Sequence, residues 1–102
     1  MKKIEFSRRK KGGTCEAEKT KGYYFKVFDY YFVVHKVFNG WRVSELTSGC
    51  GITKFMPTRK KAMECFVSMQ KEKYNGLDFS TALKQCASKV IEKYGKANEI
   101  ER

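Results

Sequence analysis

Residues 30–47 of the chain read YYFVVHKVFNGWRVSELT, and this stretch decides the predicted fold. β-branched and aromatic residues, which favour strands, lie on both sides of the dipeptide Asn39-Gly40. Asn-Gly supplies the positive φ angles that a tight hairpin turn requires. The stretch therefore predicts an antiparallel hairpin with strands near Tyr30–Phe38 and Trp41–Thr47.

Two registers remain open for this hairpin. A two-residue loop pairs Phe38 with Trp41, and a three-residue loop pairs Val37 with Trp41 and His35 with Val43. We favour the three-residue loop because it gathers more apolar residues on one face of the sheet, namely Tyr31, Val33, Val37, Trp41 and Val43.

Two further short strands are expected on either side of the hairpin. Tyr23–Phe28 is rich in aromatic residues and precedes it, although its partner in the sheet is undetermined. Ser48-Gly49-Cys50-Gly51 reads as a second turn, and Ile52–Met56 as a short strand after it. The sequence thus predicts a three- to four-stranded antiparallel sheet over residues 23–56.

Two amphipathic helices follow, over residues 58–73 and 78–94. The first has Thr58 as its N-cap and one apolar stripe, consisting of Ala62, Cys65, Phe66 and Met69. The second is capped by Asp78 or Ser80 and ends at Gly95, and its stripe consists of Phe79, Leu83, Cys86, Ala87, Val90 and Tyr94. We expect a single α+β domain with both helices packed on one face of the sheet and a frayed tail over 95–102.

The net charge of +11 is unevenly distributed along the 102 residues. Residues 1–26 hold nine Lys/Arg against three acids, residues 27–61 hold six against two, and residues 62–102 hold seven against six. Such an excess opposes compaction by self-repulsion and attracts polyanions. Nucleic acid, DNA or RNA, is the simplest partner class.

Residues 1–22 are read as a basic and partly mobile N-terminal segment. Lys2–Phe6 has the pattern of a short edge strand, whereas Arg8 to Gly22 has almost no apolar side chain to bury. Arg8-Arg9-Lys10-Lys11, with Lys2, Lys3, Lys19 and Lys21, suits contact with a nucleic-acid backbone. A solubilising arm is the other interpretation of the same run.

The start of the first helix is the second candidate contact. Three cations follow Thr58 in a turn whose backbone N–H groups lack intrahelical partners, and this combination suits a phosphate group. A solvated basic turn remains the alternative. The candidate nucleic-acid-binding residues are Arg8, Arg9, Lys10, Lys11, Lys19, Lys21, Lys26, Lys36, Arg42, Thr58, Arg59, Lys60 and Lys61.

Aromatic residues make up 15% of the chain, and most of them are needed for the core. Neighbours such as Tyr23-Tyr24 and Tyr30-Tyr31 point to opposite faces of a strand. One tyrosine of each pair is therefore a candidate for stacking on unpaired bases from an open face.

The sequence lacks the patterns typical of a membrane span, of a metal site and of a catalytic site. The longest apolar run has five residues, Tyr30–Val34, so we expect no membrane span and a cytoplasmic location. The cysteines Cys15, Cys50, Cys65 and Cys86 lack the spacing of a zinc site, so no metal or other cofactor is expected. His35 has no nucleophile or carboxylate nearby in sequence and is expected to be structural, not catalytic.

The segment from Gly40-Trp41-Arg42-Val43 through Ser48-Gly49 to Thr58-Arg59-Lys60-Lys61-Ala62 resembles a pattern in small basic proteins encoded by phages and mobile genetic elements. It also resembles the layout of three strands and a helix in integrase-arm and AP2-like DNA-binding domains, without their defining residues. The resemblance implies an accessory protein, either a DNA-binding factor or a small inhibitor of a host defence complex. It identifies no functional residue.

The leading hypothesis is a non-catalytic nucleic-acid-binding protein that contacts the phosphate backbone. The rival is a protein-interaction module whose basic surface binds an acidic site on a partner protein. An enzyme is the least favoured class, because no acid–base or nucleophile constellation is recognisable.

Overall fold

The computed structural model describes residues 2–9, 17–38 and 40–98. They form an α+β fold, as predicted, in which a four-stranded antiparallel sheet precedes two helices. The elements are β1 (Lys2–Arg9), β2 (Ala17–Val27), β3 (Tyr30–Val37), β4 (Gly40–Glu45), α1 (Arg59–Met69) and α2 (Phe79–Tyr94). The strands lie in the order β1-β2-β3-β4, so each pairs with its neighbour in sequence.

The hairpin between β3 and β4 has neither of the two expected registers. Val37 pairs with Gly40, which places Trp41 opposite Lys36 and Val43 opposite Val34. Gly40 therefore belongs to the strand, not to the loop, and Asn39 lies outside the described residues. The register turns Val34 and Val43 towards the helices, whereas Tyr31 and Val33, which we expected beside Val43, face the other side.

The main core lies between the sheet and the two helices. Its buried residues are Phe32, Val34, Val43, Ala62, Phe66, Phe79 and Leu83. The predicted stripes are confirmed at Ala62 and Phe66 in α1 and at Phe79, Leu83 and Ala87 in α2. The prediction that Cys86 belongs to the buried stripe of α2 is wrong, because Cys86 is exposed.

The helix boundaries follow from their caps. Thr58 caps α1, and Asp78, not Ser80, caps α2 by accepting a hydrogen bond from the backbone N–H of Thr81. The first helix ends at Met69, four residues before its predicted end. The hydroxyl of Tyr74 donates to the carbonyl of Met69, and this bond ties the following turn back to the end of the helix.

Where it is described, the N-terminal segment consists of strand, although we expected a loop or arm from Arg8 to Gly22. Residues 8–9 belong to β1 and residues 17–22 to β2, while residues 10–16 lie outside the described part. The missed signal is Phe6, which is 3% exposed and packs with Val33 and Leu46 on the face away from the helices. Gly22 permits this packing, since a Cβ there would lie 2.6 Å from Cγ2 of Val33.

The segment expected to be a strand at Ile52–Met56 is instead an irregular partner of β4. It has isolated bridges at Trp41–Met56 and Ser44–Gly51. Between them the hydroxyl of Thr53, not a backbone carbonyl, accepts the hydrogen bond from the N–H of Val43 at 3.0 Å. Because a side-chain hydroxyl here takes the place of a backbone carbonyl, the regular ladder of backbone hydrogen bonds is interrupted.

Residues 96–98, which we expected to fray, connect the two ends of the sheet. The side chain of Asn98 exchanges two hydrogen bonds with the backbone of Ser7 in β1 and donates a third to the carbonyl of Leu46, directly after β4. The sheet is thus curled enough for one side chain to reach both ends. Among the described residues, no helix has the length and apolar character needed to cross a membrane.

Candidate nucleic-acid interface

Four lysines of the sheet share the face on which α1 and α2 lie. Side chains alternate along a strand, so Lys19 and Lys21 point to the same face as Tyr23, which packs against the helix-side core. Lys3 pairs with Tyr23 across β1 and β2, so its side chain lies on the same face. Lys36 follows Val34 by two residues in β3 and therefore shares the face of Val34, which belongs to the helix-side core. The side chains of all four lysines are exposed.

These lysines are close neighbours. The β2–β3 pairing ends at Gly22–His35, and Lys21 and Lys36 are the next residues along their two strands. Like charges on neighbouring strands are destabilising where their side chains lie close together. Glu5, the strand partner of Lys21, is the acid in this row, and its carboxylate lies 3.9 Å from Nζ of Lys19 in a solvent-exposed pair. An exposed pair of this kind offsets little of the repulsion.

The first turn of α1 lies beside the same lysines. Trp41 and Met56 exchange two backbone hydrogen bonds of 2.7 and 2.8 Å, and the N-cap of α1, Thr58, follows Met56 by two residues. The guanidinium of Arg59 then lies 4.8 Å from the centre of the Tyr23 ring in β2. These two contacts fix the helix start against the sheet.

We call the set Lys3, Lys19, Lys21, Lys36, Arg59 and Lys60 the basic face. All six side chains are exposed. Glu64, one helical turn after Lys60, lines the same side of α1. The basic face thus joins cations from three strands and a helix that are up to 57 residues apart in sequence.

The phosphate cradle expected at Thr58–Lys61 is already partly occupied by the protein itself. The hydroxyl oxygen of Thr58 accepts a hydrogen bond of 3.1 Å from the backbone N–H of Lys61. The first N–H groups of a helix, here those of Arg59 and Lys60 besides that of Lys61, have no intrahelical acceptor. Thr58 therefore acts as the cap, and the cations are what the turn offers to an anion.

Two predicted contact residues lie on the opposite face of the sheet. Nε of Arg42 donates to the carbonyl of Thr53 at 2.8 Å, and its guanidinium lies 4.9 Å from the ring centre of Phe55. Arg42 therefore holds the irregular segment against β4. Lys26 lies 5.6 Å from the ring centre of Tyr31. Neither residue belongs to the basic face.

Only some of the remaining predicted cations can be placed relative to the basic face. Arg8 and Arg9 belong to β1, but their side chains are not described, and Lys10 and Lys11 lie outside the described residues. Lys61 is exposed in the first turn of α1, next to the basic face.

The tyrosine pairs divide between the faces as expected. Tyr23 and Tyr30 pack on the helix-side core, whereas Tyr24 and Tyr31 lie on the other face with their ring centres 6.2 Å apart. Both are half-buried. They do not form an open stacking platform beside the basic face.

Phe38 was expected at the end of the strand Tyr30–Phe38 and was not among the candidate binding residues. It lies in the β3–β4 turn and is 100% exposed. The predicted three-residue loop already leaves Phe38 in the turn, whereas the two-residue loop would have paired it with Trp41 at the end of its strand.

The buried polar residues have structural partners. His35 is fully buried, with Nε2 2.8 Å from the hydroxyl of Ser44 and its ring against Phe6. The carboxylate of Glu45, also buried, accepts hydrogen bonds from the N–H groups of Thr47 and Ser48. Across the described ranges, no group of three His, Cys, Asp or Glu residues has the arrangement of a metal site.

The pKa is shifted at Asp78 and Tyr74, which both precede the first residue of α2. The backbone N–H of Thr81 stabilises the carboxylate of Asp78 and lowers its pKa. Burial, with the nearby Glu72 carboxylate, raises the pKa of Tyr74. Both residues flank α2 and neither touches the basic face. No protein family, characterised protein or solved structure matches this chain.

Proposed function

We propose that this protein is a non-catalytic nucleic-acid-binding protein that contacts the phosphate backbone through the basic face. The observation that carries the proposal is the fixed position of the α1 start, which Trp41–Met56 and Arg59–Tyr23 hold beside the strand lysines. Cations from distant parts of the chain are thereby concentrated on one surface. A polyanion neutralises them together and releases its own counterions on binding.

The cost of this arrangement supports a role in binding. The first turn of α1 holds no acidic residue, and its cations oppose the positive end of the helix dipole. The strand lysines add further positive charge beside this turn. A bound polyanion offsets this unfavourable electrostatic energy.

The test is a binding titration against duplex DNA, single-stranded DNA and RNA at several salt concentrations. If the six cations of the basic face each meet a phosphate on duplex DNA, log affinity falls with log salt at a slope of about −5. The triple variant Lys21→Glu, Lys36→Glu, Lys60→Glu should lose three contacts, so its slope should be about −2 to −3. Its affinity should fall equally for unrelated sequences, since phosphates carry no sequence information.

A second triple variant provides the matched control. Lys71→Glu, Lys84→Glu, Lys89→Glu makes the same change in net charge at exposed positions after α1 and along α2. This control should retain a slope near −5 with a modest loss of affinity. Equal losses in both triple variants would show that net charge alone attracts the polyanion. Absence of binding at low salt would refute the proposal and favour an acidic protein partner.

A further inference from the structure

Phe38 is an unusual side chain for an exposed turn. Phenylalanine is among the residue types most often buried, yet Phe38 is 100% exposed at the tip of the β3–β4 hairpin. The two other exposed phenylalanines have intramolecular contacts, since Phe28 packs against Phe79 and Phe55 lies against Arg42. No ring or ion contact of Phe38 appears among the described residues.

The surroundings of the tip are basic. Lys36 precedes Phe38 by two residues on the side of the basic face. Gly40, two residues after Phe38, touches the chain just before α1, because a Cβ at Gly40 would lie 3.6 Å from Cα of Pro57. Thr58 and the cations of α1 follow at once. The apolar tip is therefore close to a strand lysine and to the basic start of a helix.

We propose that Phe38 inserts between adjacent base pairs of a nucleic-acid duplex while the flanking cations hold the phosphates. This inference rests on the proposed function and names its target as a duplex. Proteins that insert an apolar side chain in this way unstack one base step and kink the duplex, which brings more backbone against the protein. A projecting hairpin tip beside the cations of the basic face has the shape and charge that such insertion needs.

The geometry favours a duplex over unpaired bases. Aromatic residues that stack on single strands usually lie on a groove or sheet surface that also follows the backbone. The ring of Phe38 lies on no such surface, since it projects from a turn with its whole area in water. A base step of a duplex offers two apolar faces to an inserted ring and phosphates to the cations beside it, so one ligand satisfies both features.

The experiment uses the full chain and a short DNA duplex with one central TA step, because pyrimidine–purine steps kink most easily. A 2-aminopurine at that step reports unstacking, and donor and acceptor dyes at the two ends report bending. The wild type should raise the 2-aminopurine fluorescence and bring the duplex ends closer. Phe38→Ala should abolish both signals and weaken duplex binding by about tenfold or more, the scale of aromatic–base stacking.

Phe38→Ala should keep the salt slope of the wild type, since it removes no cation. Phe28→Ala is the matched control, because it removes a phenylalanine from the turn between β2 and β3, at the other end of β3. It should unstack and bend the duplex like the wild type. Circular dichroism should show that both variants remain folded.

The outcomes separate this inference from the proposed function. If the wild type binds with a steep salt slope but neither unstacks nor bends the duplex, the insertion is wrong and the proposed function stands. If Phe38→Ala loses affinity only for single strands, the ring stacks on unpaired bases and the duplex assignment is overturned. If the wild type binds no nucleic acid, both are refuted, and Phe38 is better explained as the anchor of a protein–protein contact.

Discussion

Lys61→Glu should make the protein more stable and at the same time a weaker binder of nucleic acid. Lys61 is the third residue of α1, and its N–H already donates to the hydroxyl of Thr58. A glutamate at this position completes a capping box with Thr58, because its carboxylate can accept the free N–H of the cap residue. It also removes a cation from the positive end of the helix dipole, which is worth about 0.3–1 kcal/mol at an exposed site.

The two effects together should raise the free energy of unfolding by about 1 kcal/mol, which corresponds to about 4–8 °C in melting temperature for a domain of this size. The measurement is thermal unfolding followed by circular dichroism, paired with duplex binding at fixed salt. Two controls separate the causes. Lys61→Gln retains the capping box without the negative charge, and Lys84→Glu makes the same charge change on the exposed side of α2. A lower melting temperature for Lys61→Glu would refute the assigned cap geometry, whereas unchanged binding would exclude this turn from the interface.

Asn98→Ala should lower the melting temperature, since it removes hydrogen bonds to the backbone of Ser7 and Leu46 that are together worth about 1–3 kcal/mol; Lys96→Ala, an exposed neighbour, should not, and equal melting of both variants would mean that the sheet closes without its C-terminal tail. Asp78→Asn should flatten the acid limb of the stability profile. The lowered pKa of Asp78 means that its charged cap stabilises the fold above the ordinary Asp pKa and that this contribution is lost as the pH falls through the folded-state value. The gap in melting temperature between wild type and variant should therefore be present at pH 7 and vanish in strong acid, and a gap independent of pH would contradict the charged cap.

The helices and the hairpin could be predicted because their signals are local. A cap residue followed by an apolar stripe defines α2 within one window of sequence, and Asp78 and Gly95 bound it as expected. The register of the hairpin could not be predicted in this way. The observed register places Gly40 directly beside Met56, in a contact between residues that no local pattern links.

The N-terminal strands also could not be predicted from local sequence patterns. Arg8 to Gly22 is too polar to predict a buried strand, and the structure agrees that few of its described side chains are buried. These strands form because the sheet supplies partners, and because Phe6 and Asn98 fix the edge of β1 to the far end of the fold. Local composition carries no record of such long-range contacts.

The net charge could be predicted from the sequence, but which cations lie together on one surface could not. The sequence pointed to Lys26, Lys36 and Arg42 alike, because all three lie in one basic stretch of strands. Alternation places Lys36 on the basic face, whereas Lys26 and Arg42 lie on the other face and contact aromatic rings of their own. Which cations act together is thus a question of strand register, and register was the least predictable feature of the fold.

The choice between nucleic acid and an acidic protein depends on how the cations and Phe38 are combined. A protein partner would need an apolar pocket for the ring with acidic side chains arranged around it, which is a specific and unusual surface. Every base step of a duplex already supplies apolar base faces between two lines of phosphates. Substituting Phe38 distinguishes the cases, because insertion into a duplex is tolerant of sequence and keeps a steep salt dependence. If the ring instead occupies a pocket of a protein partner, Phe38→Ala would abolish binding to that protein. In that case no nucleic acid, whatever its sequence, would bind in its place.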